Sequence, residues 1–150
     1  EPPLIAADVW DITAEPWVGY GTIQQGVDEA APTHVIALCP SVFAENVAVS
    51  KELTIQSLQP EAQAVVRARD PKQPVFYFRE YPFTLQNLNI REATDAKGVR
   101  VEKINGEVRR PRILNNSIRG NGWGIMLSEV QKADVQKNTV EGNVQGGVQV

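Results

Sequence analysis

Two stretches of this chain carry the same residue types at the same phase. Ile113-Leu114-Asn115-Asn116-Ser117-Ile118-Arg119-Gly120-Asn121 aligns with Val135-Gln136-Lys137-Asn138-Thr139-Val140-Glu141-Gly142-Asn143, an offset of 22 residues. Asn116 falls on Asn138, Ile118 on Val140, Gly120 on Gly142 and Asn121 on Asn143. Directly after, Gly124-Ile125-Met126-Leu127 matches Gly147-Val148-Gln149-Val150 at an offset of 23. A looser copy lies upstream, in Leu85-Gln86-Asn87-Leu88-Asn89-Ile90 followed by Gly98-Val99-Arg100-Val101.

This period is about one turn of a three-sided parallel coil. One turn cannot bury its inward face alone, so turns stack on one another. Residues at equal phase then sit one above the next, about 4.8 Å apart. Asparagines at equal phase can form an amide ladder, donor to acceptor from coil to coil. Glycines at equal phase supply a corner with positive φ. An antiparallel sandwich gives no reason for identical residues at a fixed offset. A leucine-rich repeat has a similar period, but its leucine spacing is absent.

The rest of the chain agrees with an all-β fold. From His34 onward, short apolar or β-branched runs follow one another: Val35–Leu38, Val47–Val49, Leu53–Ile55, Ala64–Val66, Val75–Phe78, Phe83–Ile90, Val99–Val101, Ile113–Ile118, Ile125–Leu127, Val135–Val140 and Val148–Val150. Turn residues separate most of them, and no long helical pattern intervenes. Upstream, Ile23, Val27, Ala30 and Ala31 recur on one helical face, with Thr22 as N-cap and Pro32 as terminator. Residues 1–20, with Pro2, Pro3, Pro16, Trp10 and Trp17, have no period and read as an irregular arm. The expected organisation is that arm, then a short right-handed parallel β-helix over residues 21–150 with an N-terminal capping helix.

The residues Asn116-Ser117-Ile118-Arg119-Gly120-Asn121-Gly122-Trp123-Gly124-Ile125-Met126-Leu127 follow the form N-x-I-x-G-N-x-x-G-I-x-L. This resembles the β-helix repeats of the pectate-lyase-like superfamily, particularly periplasmic copper-site maturation proteins and alginate epimerases. The segment from Thr22 through Val35–Pro40, Phe43–Val47 and Leu53–Ile55 is similar to the capping helix and first coil of pectin methylesterases. In that group a proline-glycine turn and an aromatic precede a conspicuous Glu; here Pro40, Phe43 and Glu45 remain and Ser41 replaces the Gly. The resemblance implies a secreted, periplasmic or cell-surface protein that meets polysaccharide. It implies little about activity, because this fold hosts many functions.

Motifs for catalysis are missing. A lyase-type calcium site needs clustered carboxylates and a base. Asp70, Asp95 and Asp134 are isolated and read as turn residues, and no Asp-Asp pair exists. His34 is the only histidine and Cys39 the only cysteine, so neither a zinc site nor an internal disulfide is expected. His34 reads as a surface or capping residue and Cys39 as an inert strand thiol. No metal and no cofactor are expected, and the catalytic residues of any enzymatic function stay unassigned; a lyase, epimerase or glycoside hydrolase is the class left open.

Binding is better represented. If Val99 and Val101 face inward, Arg100 and Glu102 face outward. The same alternation puts Arg67, Arg69, Met126 and Gln149 on one outward sheet with them, with Tyr77 and Arg79 on the neighbouring face. Arginine beside Tyr or Trp suits an acidic sugar: the guanidinium forks onto a carboxylate and the ring packs on the sugar face. Trp123, between two glycines, reads as a sugar platform or a packed ring. Arg109-Arg110-Pro111-Arg112 reads as an exposed corner loop. The candidate ligand residues are therefore Arg67, Arg69, Tyr77, Arg79, Arg100, Glu102 and Trp123.

Two functions stay open: a module that binds acidic polysaccharide, and a structural β-helix that presents a sheet face or an end to a protein. Net charge is −3, which excludes a whole-molecule footprint for nucleic acid. No apolar run reaches the roughly 20 residues of a membrane span. The chain opens on Glu1, which leaves room for a removed signal peptide, and stops in mid-repeat at Gly146–Val150. The expectation there is self-association or further coils on an uncovered edge.

Overall fold

The structure, a computed structural model, describes residues 7–107 and 109–150. The chain begins with strands β1 (Val9–Asp11) and β2 (Val18–Tyr20), then helix α1 (Ile23–Glu29). Five triplets of strands follow. They are β3 (Val35–Leu38), β4 (Val42–Ala44) and β5 (Val47–Val49); β6 (Thr54–Ser57), β7 (Ala64–Arg67) and β8 (Phe76–Arg79); and β9 (Thr84–Gln86), β10 (Leu88–Arg91) and β11 (Lys97–Asn105). The last two are β12 (Arg112–Leu114), β13 (Ser117–Arg119) and β14 (Trp123–Gln131), then β15 (Asp134–Gln136), β16 (Thr139–Glu141) and β17 (Gly146–Gln149).

Each strand pairs in parallel with its counterpart one coil on. Sheet A is β3-β6-β9-β12-β15, sheet B is β4-β7-β10-β13-β16 and sheet C is β5-β8-β11-β14-β17. The result is a parallel β-solenoid of about four turns. The equal phases of the sequence become equal heights: Ile113 pairs with Val135, Ile118 with Val140 and Ile125 with Val148.

The interior is a stack of aliphatic columns. Ile36, Ile55, Leu85 and Ile113 from sheet A meet Val66, Ile90 and Ile118 from sheet B and Val99 and Ile125 from sheet C, all 0–1% exposed. The second coil adds aromatics, with Phe76 and Phe78 stacked at 5.9 Å and Phe78 on Phe83 at 3.6 Å. Burying one such side chain contributes about 1.5–3 kcal/mol.

Among the described residues, the buried amides Asn116 and Asn121 enter this core at the corners. Between sheets A and B, Asn87, Asn115 and Lys137 share φ of 59°, 56° and 56°, a left-handed turn repeated three times. These residues divide the expected runs Phe83–Ile90, Ile113–Ile118 and Val135–Val140, each of which is two strands rather than one. Asn and Lys accept left-handed φ at a cost that the surrounding bonds offset. The asparagine after that turn points inward. Asn116 Oδ1 accepts from Leu88 N at 3.0 Å and its Nδ2 donates to Leu85 O at 3.0 Å. One coil on, Asn138 repeats the pattern on Asn116 N at 2.9 Å and Ile113 O at 2.8 Å.

The corner between sheets B and C uses the same device. Gly120 and Gly142 have φ of 70° and 62°, and Glu92 takes φ 73° one coil earlier. Asn121 then accepts from Ala93 N at 2.9 Å, and Asn143 accepts from Asn121 N at 3.0 Å. The amides also meet each other, Asn116 Nδ2 to Asn138 Oδ1 at 3.1 Å and Asn121 Nδ2 to Asn143 Oδ1 at 3.2 Å. The glycine that faces each of these asparagines from the preceding coil has a steric reason. A Cβ on Gly98 would lie 2.8 Å from Asn121 Nδ2, and one on Gly124 would lie 3.1 Å from Asn143 Nδ2 and 2.7 Å from Gly147 O.

The N-terminal segment differs from expectation. Residues 1–6 lie outside the described residues, but the rest of the arm is not irregular. β1 pairs antiparallel with both β2 and β3 and extends sheet A. Trp10 is 5% exposed and lies 6.4 Å from Trp17. The pairing satisfies backbone groups that β3 would otherwise leave open at the sheet edge. Helix α1 covers the neighbouring end as expected, with Thr22 Oγ1 accepting from Gln25 N at 3.1 Å. Glu45 also caps it, each carboxylate oxygen taking one N–H, Ile23 at 2.9 Å and Gln24 at 3.1 Å. The Gln24 amide in turn pairs with Ala48 N and O at 2.8 and 3.0 Å, standing in for a strand beside β5. At the opposite end, burial declines: Val148 is 49% exposed and Val135 and Val140 are only partly buried.

Replacing Asn121 by Ala should lower unfolding free energy by about 2–4 kcal/mol, since it strands buried backbone donors and acceptors. Asn143→Ala should cost about 1 kcal/mol, because its site is more open to water. Urea unfolding of both variants measures this; equal small losses would contradict a buried amide ladder.

Candidate functional site

Sheet C brings together most of the expected ligand residues. Tyr77, Arg100, Met126 and Gln149 pair in register as one outward row, with Arg79, Glu102 and Ser128 forming the next. Tyr77 and Arg79 therefore share a face with Arg100 and Glu102, rather than lying on a neighbouring one. Arg67 is elsewhere: it ends β7 in sheet B, and Arg69 lies past it in the turn toward β8. The reason is the corner after Arg67. Asn46 Nδ2 holds the carbonyls of Asp70, Gln73 and Pro74 at 3.1, 3.2 and 3.0 Å, so the chain leaves sheet B before Arg69.

The sheet C cluster is largely closed on itself, with Arg100 Nε buried and left without a partner among the described residues. Tyr77 donates to Glu102 Oε2 at 2.5 Å, Arg100 forms an ion pair with the same carboxylate, and its guanidinium carbon lies 5.1 Å from the Tyr77 ring centre. The tyrosine hydrogen bond, helped by Arg100, holds the Glu102 carboxyl below the usual glutamate range, and that bond pushes the Tyr77 hydroxyl up. Arg79 pairs with Glu80 at 3.6 Å. A ligand carboxylate would have to displace Glu102 from partners it already satisfies. Trp123 is a packed ring: a Cβ on Gly146, its partner one coil on, would sit 2.4 Å from the indole.

Sheet B has a row that composition and motif did not single out. Arg67, Arg91 and Arg119 pair in register on β7, β10 and β13. Their outward positions are one coil apart, about 4.8 Å. Arg67 lies 3.9 Å from Glu92 and Arg119 3.5 Å from Glu141, all four side chains about half exposed. Such pairs contribute little in water. Arg91 makes no ion pair among the described residues. Arg91 and Arg119 border a shallow depression of about 550 Å³ with Glu92, Gly120, Glu141 and Gly142. The signal for this row was present in the sequence: Val66-Arg67, Ile90-Arg91 and Ile118-Arg119 each place arginine directly after the inward aliphatic residue of the middle strand.

A larger groove, about 590 Å³, opens at the corner between sheets A and B. Its lining is dominated by side-chain amides and hydroxyls, among them Gln56, Gln63, Gln86, Asn115 and Ser117.

The remaining expected residues have structural roles. His34 Nδ1 lies 2.7 Å from buried Asp11, whose other oxygen takes Thr13 N and Ala14 N. Cys39 lies just past β3, and burial pushes its thiol up, away from the reactive thiolate. Arg109 pairs with Glu52 at 2.7 Å and Arg112 lies 3.8 Å from Asp134 on exposed corner surface. Among the described residues no cluster of three or more His, Cys, Asp or Glu could hold a metal, and no helix is long and apolar enough to cross a membrane. No protein-family model, curated protein or solved structure matches the chain.

Tyr77→Phe removes the main cause of the Glu102 shift. Glu102 titrates lower in the folded chain than unfolded, so its contribution is present above the ordinary glutamate range and is lost as pH falls through the folded value. The variant should lose about 1–2 kcal/mol near neutral pH and show a shallower loss of stability on acidification. Urea midpoints across the acid range check this; parallel curves for variant and parent would remove Tyr77 from the cause.

Proposed function

We propose that this β-solenoid is a binding module for an acidic polysaccharide, held on sheet B by the row Arg67, Arg91 and Arg119. The stacked arginines carry the reading. Three cations at coil spacing repel one another, by somewhat under 1 kcal/mol per neighbouring pair in water. Two exposed carboxylates offset this only in part. A polymer with regularly spaced carboxylates relieves it, and guanidinium accepts a carboxylate as a two-pronged partner. The flat, rigid sheet fixes the spacing before the ligand arrives, which reduces the ordering cost of binding. Membership of the pectate-lyase-like superfamily is part of the same proposal, supported by the repeat from Asn116 to Leu127 and by the solenoid it builds.

The sheet C residues Tyr77, Arg100 and Glu102 are assigned to stability in this reading, because their charges are already matched to one another. A second reading, a protein or further coil seated on the outer edges of β15, β16 and β17, is favoured by the 49% exposure of Val148.

Arg91→Ala should weaken binding to polygalacturonate or alginate by roughly fivefold to tenfold, in line with one partly buried charge contact. Arg100→Ala should leave the affinity unchanged. Added salt should weaken the parent's binding steadily. Titration calorimetry reads all three, and an Arg100→Ala loss with Arg91→Ala silent would move the site to sheet C. Absence of binding to any acidic glycan would favour the edge-docking reading.

A further inference from the structure

The groove between sheets A and B has its own origin in the chain. One residue, Asn87, separates β9 from β10, and two, Asn115 and Asn116, separate β12 from β13. Between β6 and β7 the chain instead inserts residues 58–63. This insertion folds on itself through the bridge between Gln59 and Ala62 and stands beside the corner as a wall. Its last residue, Gln63, reaches across to Asn87 Oδ1 and Asn115 O, both at 3.3 Å. The floor is the stepped corner itself. Gln56 and Gln86 stack in neighbouring coils at 2.7 Å, and below them come Asn115, then Ser117 and Thr139.

Several polar ends in this groove have no partner among the described residues. Gln86 donates to Gln56 Oε1, which leaves Gln56 Nε2 and Gln86 Oε1 available. The Asn115 side chain, Thr139 Oγ1 and Lys137 Nζ are also unengaged, and all belong to the lining. Only Lys137 carries charge. The volume falls within the roughly 300–1,000 Å³ of small-molecule sites.

We propose that this groove is a second saccharide subsite, one that takes a neutral, hydroxyl-rich sugar unit. The inference rests on the polysaccharide reading above and narrows its ligand. An amide offers both a donor and an acceptor, and so does a sugar hydroxyl, so a row of amides meets a row of hydroxyls without burying an unmatched charge. An anionic ligand would find one lysine here. A peptide strand would find no open sheet edge, since the coils along this corner are already paired. The groove also joins the arginine row. Ser117, on its rim, accepts from Arg119 Nε and Nη2 at 3.2 and 3.0 Å. One glycan chain passing around this corner would thus place neutral units on the amides and acidic units on the arginines. The ligand class is an acidic heteropolysaccharide with interspersed neutral sugars.

The test is nitrogen-edited nuclear magnetic resonance of the whole chain, titrated with cello-, manno-, xylo- and galacto-hexaoses. The expected result is a saturable shift of the Gln56, Gln63, Gln86 and Asn115 side-chain amide signals with at least one hexaose. The dissociation constant should be on the order of 1 mM, unaffected by high salt. Gln63→Ala, on an exposed loop, should weaken this by at least about fivefold. Arg91→Ala should leave it unchanged while weakening polygalacturonate. If no hexaose moves these amide signals, the subsite does not exist, even where polygalacturonate still binds. Amide shifts that persist in a protein that ignores polygalacturonate would instead keep the groove and remove the arginine reading.

Discussion

Everything on the surface of this molecule is placed by hydrogen bonds made inside it, at the corners. An asparagine amide turned inward takes a backbone N–H from the coil before and returns a proton to a carbonyl three residues upstream of it. Asn116, Asn138, Asn121 and Asn143 do this at equivalent positions, each accepting its backbone N–H at 2.9–3.0 Å. A slip of one residue would break both bonds and turn the aliphatic columns outward. The corner amide therefore sets register for the strands on either side. It also makes demands of its neighbours: a left-handed residue before it at both corners, and at the second a glycine in the preceding coil, where Gly98 and Gly124 leave room for the amides of Asn121 and Asn143.

Fixed register turns single residues into rows, and rows are where the surface acquires chemistry. On sheet C the rows bring Tyr77, Arg100 and Glu102 together, and opposite charges meet within the protein. On sheet B the row repeats one sign through Arg67, Arg91 and Arg119 and then meets Glu141 in register on β16, with Glu92 at its flank. Both faces contain arginine and glutamate. What separates them is Glu102, a mostly buried carboxylate held by both Tyr77 and Arg100 on sheet C, whereas the carboxylates beside the sheet B row are half exposed. On sheet B, Arg91 is the arginine of the row that makes no ion pair among the described residues.

The solenoid, its period and the two asparagine ladders were legible because the last two coils repeat almost without insertion. The capping helix was legible from Thr22 and its apolar face. The breaks at Asn87, Asn115 and Lys137 were not, because apolar alternation continues across a left-handed residue and reads as one strand. The antiparallel extension through Val9–Asp11 was hidden for a different reason: its partner is the edge of the first coil, which periodicity does not report. Arg67 was identified but placed on the wrong sheet, since counting alternation across residues 68–75 ignores the turn held by Asn46. Arg91 and Arg119 were passed over although their phase was readable, one residue after Ile90 and Ile118.

The regular and irregular parts of the chain do different work. The 22-residue coil gives spacing but nearly flat faces, and a flat face offers a ligand little enclosure. Concavity arises where a coil departs from the period, as with residues 58–63, which wall the amide groove while leaving β6 and β7 in register with their neighbours. The insertion is tolerated because it leaves at a corner, where the bonds lost are not ladder bonds; Ser57 Oγ takes Ala64 N and donates to Asn87 O in place of an asparagine. The same coil carries Arg67, the first cation of the sheet B row. The regular repeat thus supplies the ruler along which Arg67, Arg91 and Arg119 are spaced, and departures from it, residues 58–63 among them, supply the concavity beside that ruler.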